Sequence, residues 1–78
     1  MAGEDQNPKQ VQKALAERIR SLRIKKGWSQ KLLAELSGTS LRYIAQIERG
    51  ELDIRLSTLV AVAEAFHIQV HQLFRGIA

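Results

Sequence analysis

Cysteine is absent from this chain of 78 residues, and proline, tryptophan and tyrosine occur once each. Without cysteine there is no disulfide to hold so short a chain together and no thiolate to seat a metal. Its absence fits a reducing cytoplasm. No run approaches the roughly 18 consecutive apolar residues that a membrane span requires. The opening stretch MAGEDQNPK is polar and acidic, unlike a secretory leader. The expectation is a cytoplasmic protein without a membrane partner. Catalytic constellations are missing too: there is no Gly-rich phosphate loop, and no serine has a credible His and Asp to activate it. We expect no enzyme and no cofactor, and no small-molecule effector is evident from the sequence.

Almost half the chain is apolar (45%) and about a quarter charged (26%), which suits one small globular domain and leaves no room for a second. A chain of this size buries only about 60% of its unfolded surface, so association with a second copy is a physically motivated expectation. The net charge of +4 is unevenly spread. Residues 1–31 hold eight Lys and Arg against three acids, whereas residues 32–78 hold four against five. A basic half suits an anionic partner such as nucleic acid, although a solvated, solubilising face explains the charge equally simply.

The pattern of apolar residues predicts an all-α chain. Residues 1–8 read as a disordered tail and 9–78 as one domain. From Lys9 to Lys26, Val11, Leu15, Ile19 and Leu22 recur at helical spacing, and Gly27 stops the helix. Ser29 is an N-cap for the helix QKLLAELS, which stops at Gly38, and Ser40 is an N-cap for LRYIAQIER, which stops at Gly50. The segment ELDIR is a loop. A fourth helix spans Leu56–Phe66 and is expected to bury Leu56, Leu59, Val60, Ala63 and Phe66. A fifth spans Val70–Phe74, with Val70, Leu73 and Phe74 inward.

On the third helix, at about 100° per residue, Ile44 and Ile47 must face the core, while Arg42, Ala45, Gln46 and Arg49 fill the opposite arc. In isolation that arc is an ordinary solvated face. Its neighbours alter the reading. Two short capped helices joined by a tight glycine-containing turn form a helix-turn-helix signature, which presents its second helix to the major groove of DNA. Arg can donate two bonds to guanine, Gln can pair both ways with adenine, and Ala45 is small enough not to block approach.

The run from Arg18 to Phe74 resembles the Cro and phage-repressor type helix-turn-helix regulators, the XRE family. It does so through Arg23, KGWSQ, Leu33-Ala34, GTS, Tyr43-Ile44, IERG and LSTLVAVAEAF in that order and spacing. The resemblance implies a compact five-helix bundle with residues 30–37 and 41–49 as the helix-turn-helix. It implies base reading by Ser40, Leu41, Arg42 and Gln46, with Ala45 and Arg49 close by, and a grip on the DNA backbone by Gln30. Lys31 and Tyr43 are candidates for phosphate contact. Glu48 and Arg23 match residues that form a partly buried ion pair in the family. Two features depart from the pattern. Leu41 stands where a polar reader is common, and it either packs on the preceding turn or meets a thymine methyl. The loop GELDIR is acidic, so Glu51 and Asp53 would repel a phosphate backbone, leaving Arg55 as its one basic candidate.

His67 and His71 are four apart but straddle a helix break, and no metal site is expected. Trp28 is expected to pack at the junction of the first two helices. Leu32 and Leu36 share one face, as partial core or as a contact surface. Ile68, Val70, Leu73, Phe74 and Ile77 are the candidates for a homodimer interface. The expectation is a regulator that binds double-stranded DNA as a homodimer on a near-palindromic operator. The alternative is a protein-interaction module, such as an antitoxin, with the same fold.

Overall fold

The computed structural model describes residues 7–75. It contains five helices: α1 (Pro8–Lys25), α2 (Gln30–Ser37), α3 (Leu41–Glu48), α4 (Leu56–Ala65) and α5 (Val70–Leu73). No strand occurs among the described residues. Pro8 opens α1 at a position where its missing N–H costs nothing, and the Asn7 side chain caps the turn by accepting from the Gln10 amide at 2.9 Å. The helix therefore begins one residue before the expected Lys9. The rest of the expected tail, residues 1–6, lies outside the described residues, as does Ile77.

Four helix ends share one terminator. After α1, α2 and α3 the chain turns at Gly27, Gly38 and Gly50, all with positive φ. At each, the amide after the glycine reaches back into the last turn, as in Trp28 N–H to the Arg23 carbonyl at 3.1 Å and Thr39 N–H to the Ala34 carbonyl at 2.9 Å. After α4 the same pair of bonds forms around His67, which takes φ 58 without being glycine. That left-handed residue makes the break expected between the two histidines.

The core joins Leu15 and Ile19 of α1, Leu33 and Ala34 of α2, Ile44 and Ile47 of α3, Leu59, Val62 and Ala63 of α4, Phe66 and Leu73. Trp28 stacks on Phe66 with ring centroids 5.2 Å apart, tying the α1–α2 corner to the end of α4. Arg18 extends across from α1 to donate to the Gln72 carbonyl at 3.0 Å, which secures α5.

Two expectations are corrected here. On α4, Val62 is buried, while Leu56 is 70% exposed and Val60 is also on the surface. Apolar residues surround this helix, so spacing alone does not select its inner face. Leu73 is fully buried within the protomer (0% exposed) and offers nothing to a partner. Val70 and Phe74 are half-buried and pack against the core, as does Ile68.

Candidate nucleic-acid interface

The helix-turn-helix is built by local chemistry. Ser29 caps α2 by accepting from the Leu32 amide at 3.0 Å, and Ser40 caps α3 by accepting from the Tyr43 amide at 3.0 Å. Gly38 between them takes the left-handed conformation that reverses the chain in so few residues. Ile44 and Ile47 are buried to 0% and 1% exposure, which fixes the rotation of α3 about its axis.

With that rotation fixed, the outward face follows from 100° steps. Arg42, Gln46 and Arg49 lie within about 60° of one another, flanked by Ala45. Leu41, Arg42 and Arg49 are exposed, while Ala45 and Gln46 are half-buried. Leu41 is thus on the surface rather than tucked against the preceding turn. Ser40 is exposed, although its hydroxyl is already used as the cap. Lys31 is exposed at the start of α2.

Glu48 lies on the flank of α3 and accepts a two-pronged bond from Arg23, Nε to Oε2 at 2.7 Å and a terminal guanidinium nitrogen to Oε1 at 3.0 Å. Arg23 also donates to the Trp28 carbonyl at 2.8 Å, and the Gln30 amide donates to Glu48 Oε1 at 3.0 Å. One carboxylate, 3% exposed in its side chain, thereby joins α1, α2 and α3. Gln30 is held by this node, so its side chain enters the site already oriented.

The loop after α3 alternates: Glu51, Asp53 and Arg55 are exposed, whereas Leu52 and Ile54 turn inward onto the core. Neither acid stands alone. Glu51 accepts from Arg49 Nε at 2.9 Å, and Asp53 accepts from the Gln12 amide of α1. The hydrogen bond to Glu51 and its charge both raise the pKa of Arg49. Arg55 is the N-cap residue of α4 but supplies no side-chain cap. A cleft of about 430 Å³ opens there, lined among others by Thr39, Ser40, Tyr43, Arg55, Ser57 and Thr58. Nothing in the sequence alone marks Thr39, Ser57 and Thr58 for this site. The hydroxyls in GTS and LST flank it, but only the packing of α4 beside the turn brings them together.

Behind the turn, Leu36 is exposed and borders a groove of about 480 Å³ with Glu35, Ala61, Glu64, Ala65 and His67. No helix among the described residues is long and apolar enough to cross a membrane.

Comparison with known proteins agrees with this geometry. The family model described as helix-turn-helix matches residues 19–73. The control protein C.SmaI of Serratia marcescens is 41% identical over 63 residues, covering 81% of this chain and 75% of the relative. The immunity repressor protein of Bacillus phage phi105 is 43% identical over 56 residues, but the match spans only 39% of that repressor. Among solved structures, the restriction-modification controller protein C.AhdI from Aeromonas hydrophila superimposes with a TM-score of 0.78 at 36% identity, over 81% of this chain and 96% of that one. The DNA-binding domain of the P22 c2 repressor gives a TM-score of 0.74 at 31% identity, over 82% and 86% of the two chains. The chain belongs to the helix-turn-helix family, of the Cro and phage-repressor (XRE) type that its sequence resembles.

Proposed function

We propose that this chain binds double-stranded DNA sequence-specifically and regulates transcription as a homodimer, with α3 in the major groove. The observation that carries this reading is the stripe Arg42–Gln46–Arg49, turned outward by the buried isoleucines behind it. Arg42 and Gln46 are the principal base readers, and Ser40, Leu41 and Ala45 complete the surface that meets the base edges. Leu41, being exposed, is suited to a thymine methyl. Gln30, Lys31, Tyr43, Arg49 and Arg55 contact phosphates, and the hydroxyl-lined cleft beside Arg55 suits the same backbone. The names of the relatives, a control protein and repressors, support a regulatory role.

The second copy is met through apolar side chains that the protomer leaves accessible. Leu56 and Val60 are one turn apart on α4 and both exposed, and they join Ile68, Val70 and Phe74 as interface candidates. Two copies would place their α3 helices about one turn of DNA (~34 Å) apart on a near-palindromic operator.

Selection of bound duplexes from random DNA tests the reading. The expected result is a near-palindromic motif whose half-sites are spaced by about one helical turn. Recovery of no enriched motif would remove it. The second reading, a protein-interaction module, is supported by exposed Leu36 and its acidic-rimmed groove, and such a protein would yield no motif.

A further inference from the structure

Arg42, Gln46 and Arg49 share one stripe of α3, yet only Arg49 is in an ion pair among the described residues. Its partner is placed by the fold. Glu51 follows the left-handed Gly50, and its amide donates to the Gln46 carbonyl at 3.2 Å. The next residue, Leu52, is anchored on the core, which leaves the Glu51 side chain outward beside α3. The pair is open to solvent, with Arg49 56% and Glu51 51% exposed in their side chains. Asp53, the other acid of the loop, is turned back to Gln12 and does not compete for Arg49.

We propose that Glu51 is a built-in competitor for DNA: its bond to Arg49 must open before a phosphate can take the Arg49 Nε–H. This rests on the DNA-binding reading above and deepens it. The carboxylate and a phosphate are alternative acceptors for the same Nε–H. Glu51 therefore keeps backbone binding that is indifferent to sequence weak. Arg42, with no carboxylate partner among the described residues, reads bases without this competition.

The test is binding of a fluorescein-labelled random-sequence duplex by four proteins across a salt series: the parent, Arg49→Gln, Glu51→Gln and the double substitution. Both side chains are exposed, and circular dichroism should show all four equally folded. Glu51→Gln should tighten binding about two- to fivefold, the range expected for opening an exposed ion pair. It should also steepen the slope of log affinity against log salt by ~0.9, one further phosphate contact. Arg49→Gln should then cost about two- to fivefold more in the Glu51→Gln background than in the parent. An equal cost in both backgrounds overturns the proposal, because Glu51 would then repel DNA without withholding Arg49. Failure of all four proteins to bind in a salt-sensitive way removes the DNA reading itself, and this proposal with it.

Discussion

The Glu48 carboxylate accepts from Arg23 and Gln30, with its own side chain 3% and that of Arg23 13% exposed. At such burial the loss of one partner leaves the other charge uncompensated. Glu48→Ala is therefore expected to cost up to about 3–5 kcal/mol, read as a lower urea midpoint by circular dichroism. DNA binding should weaken further than the loss of fold alone explains, because Gln30 loses the carboxylate that orients it. An unchanged midpoint would refute this. Arg42→Ala and Gln46→Ala should behave in the opposite way: an unchanged midpoint, with about 1–3 kcal/mol less discrimination between matched and mismatched duplexes, measured by competition binding. Sequence separates these roles because helical spacing alone puts Ile44 and Ile47 opposite Arg42. The position of Glu48 on the flank needs Arg23, which lies on another helix. Only a family resemblance links residues so distant in the chain.

Helix α4 was the element least legible in the sequence. Leu56, Leu59, Val60, Ala61, Val62, Ala63 and Ala65 give it an apolar surface on every side, so no stripe marks the inward face. The structure resolves it through contacts with distant residues, with Leu59, Val62 and Ala63 against the core. Val62→Ala should consequently destabilise the protein by about 2 kcal/mol, and Val60→Ala by less than about 0.5 kcal/mol, in paired thermal melts. The far end of α4 was hidden for another reason. Glycine announces the other three terminators, but His67 takes φ 58 only because the two capping bonds after α4 hold it there. A side chain in that region carries a cost that glycine escapes. His67→Gly is thus expected to raise stability by about 0.5–1 kcal/mol, seen as a higher melting temperature.

At the scale of the whole molecule, the proposed pairing of two copies depends on what the protomer leaves uncovered. The sequence predicts that contact on the last apolar run, because a five-helix domain has little left to cover it. The protomer itself covers Leu73 completely, and among the described residues the most accessible large apolar side chain is Leu56. Leu56→Lys should leave the helical spectrum unchanged and reduce the sedimenting mass from two chains to one. Affinity for a palindromic duplex should fall with it. Leu73→Ala should instead lose about 2–5 kcal/mol of protomer stability, because it opens a cavity in the core.

The loop from Glu51 to Arg55 carries a further consequence. Its inward residues, Leu52 and Ile54, are packed on the core, and its outward residues are Glu51, Asp53 and Arg55. Inner and outer sets alternate, so the outer three can be exchanged while the inner two keep the backbone in place. Selection can therefore retune this rim over generations, adding or removing charge toward a new operator or a different cellular concentration, without first having to find a new way to fold.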